Sequence, residues 1–161
     1  MRKTIQLDIV TPTRTELSKH VEYLVAPTPA GLIGILPGHA PLLTQLAIGV
    51  LQLECQGEVT KMAVSEGYME VTPHKVIVLA EAAELPEEID VERALAAKRR
   101  AEERLYAPLR QIDYVRARSA LQRAVNRLQV AKRGQLDRRG APGSGGDGDE
   151  PGQRRFGSQE K

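Results

Sequence analysis

Two pairs of arginines carry the clearest chemical potential in these 161 residues. Arg93 and Arg100 are seven positions apart, two turns of an α-helix, and so share a face. Arg123 and Arg127 are four apart and share one as well. A guanidinium presents a planar fork of donors that fits phosphate oxygens. If the two faces meet, four such groups converge and could hold a triphosphate. Asp90 could then accept from a ribose hydroxyl or an adenine amine. On composition alone, a basic helix face is more often simply a solvated surface, and both readings stand at this point.

Other candidate chemistry is thinner. Three glycines and two prolines are threaded through apolar residues from Gly31 to Leu42. The run lacks the Lys-Ser/Thr that a phosphate-binding loop needs after its last glycine, and no helical pattern follows it. It reads instead as a tightly turned, buried β segment. His20, His39 and His74 have no neighbours at metal-ligand spacing. Ser18, Ser65 and Ser119 sit in no nucleophile elbow, so no catalysis is expected. The single cysteine, Cys55, rules out an intrachain disulfide and is expected to be a small core residue.

The elements that must position the arginines follow from periodicity. Ile5, Leu7 and Ile9 alternate with polar residues; so do Val21, Tyr23 and Val25, and then Leu51, Leu53 and Cys55. Turn chemistry separates the runs at Thr11-Pro12, Pro27-Thr28-Pro29, Gln56-Gly57 and Thr72-Pro73-His74. Short strands at close spacing predict a β-sandwich or flattened barrel. After Leu85-Pro86 the composition turns helical. One helix is expected over 89–106, capped by Asp90 and ended by Pro108. A second is expected over about 111–132, with Tyr114, Ala117, Leu121, Ala124, Leu128 and Ala131 forming one apolar stripe. The opposing stripe is Ala94, Ala97, Ala101 and Leu105, so the two helices form an antiparallel hairpin.

The fold expected is therefore α+β. A β-sandwich or flattened barrel spans 1–86, a C-terminal two-helix hairpin spans 87–133, and a Gly-rich tail over 134–161 is expected to be disordered. Charge follows this division. Residues 1–86 hold 6 basic and 9 acidic residues, residues 87–133 hold 12 and 7, and the tail holds 5 and 5. The hairpin should therefore draw an anionic ligand or partner. No apolar stretch approaches the roughly 20 residues that span a bilayer, so any membrane association is expected to be indirect.

The run Gly31-Leu32-Ile33-Gly34-Ile35-Leu36-Pro37-Gly38-His39-Ala40-Pro41-Leu42 closely resembles the hallmark of the ε subunit of F-type ATP synthases. The resemblance continues through Gly49-Val50-Leu51, Gly67-Tyr68-Met69-Glu70-Val71, Ile89-Asp90-Val91-Glu92-Arg93-Ala94 and Arg123-Ala124-Val125-Asn126-Arg127-Leu128. It covers about residues 4–133 in the family's order. The chain departs from the family at Glu66-Gly67-Tyr68, where Gly-Gly-Phe is common.

The resemblance implies a non-catalytic rotor subunit of the central stalk of a proton- or sodium-translocating ATP synthase. Its β-domain would join the γ subunit to the membrane-embedded c-ring. The chain would sit peripherally at the cytoplasmic face of a bacterial cell membrane. The hairpin would be regulatory: folded down, it permits ATP hydrolysis; extended along γ, it reaches the α/β subunits and inhibits. ATP is implied as a regulatory ligand of the folded hairpin, with no cofactor required. The positions matching the family's ATP motifs are Glu84, Ile89, Asp90, Arg93, Ala94, Arg100, Arg123 and Arg127. A stand-alone nucleic-acid- or nucleotide-binding module is the alternative. Against nucleic acid, the hairpin offers only Tyr106 and Tyr114 for stacking, and acids are interspersed with its bases.

Overall fold

The computed structural model describes residues 3–108 and 110–140, with side chains through Leu136. Alternating apolar residues in the first half of the chain build ten strands. They are β1 (Ile5–Val10), β2 (Thr15–Val21), β3 (Tyr23–Thr28), β4 (Gly31–Ile35), β5 (Leu42–Leu46), β6 (Gly49–Cys55), β7 (Glu58–Val64), β8 (Gly67–Val71), β9 (Lys75–Ala80) and β10 (Ala83–Glu84). Two helices follow, α1 (Val91–Tyr106) and α2 (Gln111–Gly140).

The strands form two five-stranded sheets, ordered β2-β1-β9-β8-β5 and β10-β7-β6-β3-β4. Among the paired strands only β1 and β9 run parallel. The inward residues of both sheets, including Leu7, Ile9, Leu24, Leu51, Leu53, Met62, Met69 and Val78, make one core with no aromatic residue. This is the α+β sandwich expected from the pattern. The hairpin lies on the second sheet, with α2 against β6 and β7.

Four local expectations need correction. Val21, Tyr23 and Val25 are not one strand: Val21 ends β2, Tyr23 opens β3, and the bend at Glu22 carries the chain between sheets. The Gly31–Leu42 run is not buried. β4 is an edge strand, and of its residues only Ile35 is buried while Leu32 is 74% exposed. Pro27 and Thr28 lie within β3 rather than in a turn, and Pro27 suits a strand because its carbonyl, not a missing N–H, is used: it accepts from Ala47 N at 2.9 Å. Cys55, at the end of β6, is half-buried rather than core.

Gly67 opens β8 directly beside β9, paired with Ala80 in the same sheet. A Cβ there would stand 1.9 Å from the Leu79 carbonyl oxygen, so this position admits only glycine. The preceding residue, Glu66, is thereby fixed at the crossing from one sheet to the other. Its carbonyl accepts from Glu81 N at 3.0 Å.

Asp8 ties three strands of the first sheet together. It pairs with Lys75 Nζ at 2.8 Å and accepts from Ser18 Oγ at 2.7 Å and Gln6 Nε2 at 2.8 Å. The Lys75 hydrogen bond first, then those of Gln6 and Ser18, hold its carboxyl at about 2 rather than 3.8. A lowered native pKa means stability present above 3.8 and lost as pH falls through about 2. Asp8→Asn is expected to flatten the acid limb of the stability curve in that window, read by urea denaturation across pH. An unchanged acid limb would show that the Asp8 cluster does not contribute.

Candidate functional site

The linker after the sandwich is pinned before the first helix begins. Glu88 accepts from Leu85 N at 2.9 Å and from Arg14 Nη2 at 3.0 Å. Asp90 then caps α1: its Oδ1 accepts from Arg93 N at 2.9 Å, which satisfies a donor that the first turn leaves free. α1 ends at Tyr106, just before Pro108, as the proline requires.

α2 runs further than its composition suggests. It continues through Gly140, so the expected end at 132 and the expected start of the tail at 134 are both overtaken. Gly134 looks like a stop signal in sequence, but here it is a close-packing position. A Cβ on it would fall 2.4 Å from Pro86 Cβ, so the glycine lets the helix pass over the linker. The disorder expected for 141–161 lies outside the described residues.

α2 has two working faces. One carries Ala117 and Ala124, both buried, with Leu121 and Leu128 half-buried, and it meets α1, where Ala94 and Ala101 are buried; Ala131, expected on the same stripe, packs with the sandwich-side cluster. Tyr114 was expected on this stripe but is half exposed, beyond the tight part of the seam. The other face carries Arg123, Asn126, Arg127 and Val130 toward the sandwich. There Val130 and Ala131 join Ile89 and Ala63 in a small apolar cluster, with Val50 packed against it.

The polar contacts of this second face form a compact set. Asn126 Nδ2 donates to Gly49 O at 2.7 Å and to Val64 O at 3.4 Å, so a buried amide reads the backbone of β6 and β7 directly. Arg123 Nη1 donates to both carboxylate oxygens of Glu66, at 3.3 and 3.4 Å. Arg127 Nε donates to Glu84 Oε2 in a short, charge-assisted hydrogen bond. Two carboxylates on the sandwich thus meet two guanidiniums one helical turn apart.

The predicted site residues are therefore divided. Arg123, Arg127 and Glu84 come together at the hairpin–sandwich junction. Arg93 and Arg100 lie at exposed positions of α1, and Asp90 is exposed at its cap. Ile89 and Ala94 are buried and serve packing. The two arginine faces thus have different surroundings: one pair is engaged by the sandwich, the other is open to solvent. The crevice lined by Ala63, Val64, Ser65, Glu84, Arg123, Asn126 and Arg127 is closed, with a free volume of about 0 Å³. That is below the range of about 300–1,000 Å³ typical of a small-molecule pocket, so a nucleotide on these arginines requires the carboxylates to release them.

Two residues at this junction escape a reading by spacing. Glu66 sits 57 positions from Arg123, and nothing local marks their pairing. Asn126 carried a faint signal: a poor helix former between two arginines in a long helix needs a reason, and the backbone carbonyls supply it. Among the described residues no cluster of His, Cys, Asp or Glu could hold a metal ion, and no helix is long and apolar enough to cross a membrane.

Comparison with known proteins places this geometry. Residues 4–86 match the family model described as ATP synthase, Delta/Epsilon chain, beta-sandwich domain. Residues 87–132 match the model described as ATP synthase, Delta/Epsilon chain, long alpha-helix domain. The ATP synthase epsilon chain of Desulforamulus reducens is 48% identical over 132 residues, covering 82% of this chain and 100% of its own. That of Bacillus licheniformis is 46% identical over 130 residues, covering 81% and 99%. A chain in the Euglena gracilis mitochondrial ATP synthase structure of OSCP, F1 and the c-ring shares the fold, with a TM-score of 0.68 at 24% identity, covering 83% of this chain and 81% of that one. A chain in the Tetrahymena thermophila mitochondrial ATP synthase central stalk and c-ring structure does so with a TM-score of 0.58 at 13% identity, covering 81% and 98%.

Asn126 is the contact that fixes α2 on the sandwich, so its loss should release the hairpin without unfolding the sheets. Asn126→Ala is expected to cost about 1–2 kcal/mol at this junction. Tryptic cleavage within the arginine-rich hairpin should then accelerate about 5- to 30-fold while the sandwich fragment survives. Equal loss of sandwich and hairpin would mean that the two unfold as one unit.

Proposed function

Because this chain belongs to the ATP synthase epsilon-chain family, a non-catalytic part of a complex that makes ATP, we propose that it is a rotor subunit of the central stalk. Its sandwich joins γ to the c-ring, and through them ion flow, of protons or sodium, is coupled to catalysis in α/β. Of the two structural relatives, one belongs to an assembly that includes the c-ring and the other to a central stalk with its c-ring, which supports that place. The subunit then sits at the cytoplasmic face of the membrane through its partners alone.

The hairpin is the regulatory part in this reading. Folded on the sandwich, it leaves hydrolysis unhindered; extended, it reaches α/β and inhibits. The observation that carries this is the narrowness of the hairpin's seat. α2 alone meets the sandwich closely, through three polar side chains and a small apolar cluster. Such a seat can be left without breaking either core, which a two-position element requires.

ATP biases the two positions by holding the folded one, and by no more than its differential affinity for it. The residues proposed to hold it are Glu84, Ile89, Asp90, Arg93, Ala94, Arg100, Arg123 and Arg127. Arg123 and Arg127 would turn their forks from carboxylate to phosphate oxygens. Arg93 and Arg100, exposed on α1, are free to approach the same anion.

Calorimetric titration of the full chain with ATP, beside Arg123→Ala/Arg127→Ala, tests this part. The native chain is expected to bind, and the double variant to bind at least about tenfold more weakly, given the strength of charge-assisted hydrogen bonds. Absence of binding to the native chain at millimolar ATP would overturn the nucleotide switch while leaving the stalk role in place.

A further inference from the structure

We propose that Glu66 is a built-in competitor of the nucleotide: a carboxylate that occupies Arg123 in the place of phosphate oxygens and so raises the ATP concentration needed to hold the folded hairpin. This rests on the reading of the hairpin as an ATP site.

The geometry at Glu66 is that of an internal ligand. Both of its carboxylate oxygens lie within 3.4 Å of Arg123 Nη1. Its backbone is held on both sides, by Ser65 N donating to Ala82 O at 2.9 Å and by Glu81 N donating to its own carbonyl. Gly67, held close against the Leu79–Ala80 backbone of β9, keeps the chain from shifting. The side chain is thus delivered to Arg123 by a rigid crossing between two sheets, not by a flexible loop.

The pair is also placed to be exchanged. The Arg123 side chain is 32% exposed and that of Glu66 41%, so an anion from solvent reaches both. Glu66 borders a groove of about 800 Å³ that continues past Gly67, Tyr68, Leu79, Ser119 and Gln122. A displaced Glu66 carboxylate therefore turns into open space and meets no wall. With Glu84 on Arg127, the sandwich presents two negative charges to two guanidiniums one turn apart, which is what a polyphosphate would present. A triphosphate must displace Glu66 before it can use Arg123, and the strength of that ion pair is subtracted from its binding.

The same ion pair could instead be only a clip that seats α2, and the two roles predict opposite signs. If Glu66 competes, Glu66→Gln binds ATP more tightly, by about two- to fivefold for a half-exposed ion pair. If Glu66 is only a clip, the variant loses part of the folded hairpin and binds ATP more weakly. ATP titration of the full chain, Glu66→Gln, Glu66→Ala, Arg123→Ala and Arg123→Ala/Glu66→Gln separates them. The expected result is tighter binding by both Glu66 variants, with no difference between Arg123→Ala and the double variant. Equal or weaker binding by the Glu66 variants, with the native chain binding ATP, overturns the competition alone. No binding by the native chain or either Glu66 variant overturns this inference together with the ATP site on which it rests.

Discussion

A single helix must satisfy two surfaces at once. α2 turns Ala117 and Ala124 to α1 and its Arg123, Asn126, Arg127 and Val130 to the sandwich, and the rest of the C-terminal half depends on that double duty. The alanine seam makes the hairpin a unit by letting two backbones approach closely. The sandwich face makes that unit a passenger, held by a buried amide on two backbone carbonyls and by two half-exposed ion pairs. Ion pairs at such exposure contribute little each, about 1 kcal/mol or less, so geometry and not strength is what they add. Asn126 differs because its carbonyl partners lie in the continuous ladder of β6 and β7, which fixes the helix in register against the sheet.

The sandwich provides the rigid reference for this arrangement. Its core is aliphatic and runs through both sheets, with the parallel β1–β9 pair binding the first strand to the last long one. Gly67 and Gly134 mark two places where close approach fixes the layout: one seats β8 beside β9, the other lets α2 cross Pro86. The carboxylates that meet α2 are delivered from this frame, Glu84 on the edge strand β10 and Glu66 at the crossing between sheets.

Much of this was legible in the sequence where the physics is local. Period-two alternation gave the strands, Asp90 announced its own cap, and the spacing of Ala94, Ala101, Ala117 and Ala124 gave the hairpin. The failures have physical causes as well. Alternation through Val21, Tyr23 and Val25 does not survive the change of sheet: the bend at Glu22 shifts the phase, so in β3 Leu24 and Ala26 face the core in place of Tyr23 and Val25, and a period-two pattern alone could not show the break. The Gly31–Leu42 run reads as buried by composition, but β4 is an edge strand, and among the described residues no further strand lies along its outer side. Gly134 means a helix end by propensity and close packing by context. For the site, spacing put Arg123 and Arg127 on one face but not opposite any partner. Glu66 and Glu84 lie 57 and 43 positions away from them, and only the folded chain brings them there.

The central claim is that the hairpin is a separable body, seated on the sandwich by polar contacts it can relinquish while both parts stay folded. Native-state hydrogen exchange of the full chain, followed at low and at high salt, tests it most directly. The account predicts that α2 amides facing the sandwich open together at a free energy well below that of β6 and β7, and open more readily as salt screens the ion pairs. A single opening free energy shared by α2 and the central strands, unmoved by salt, would contradict it.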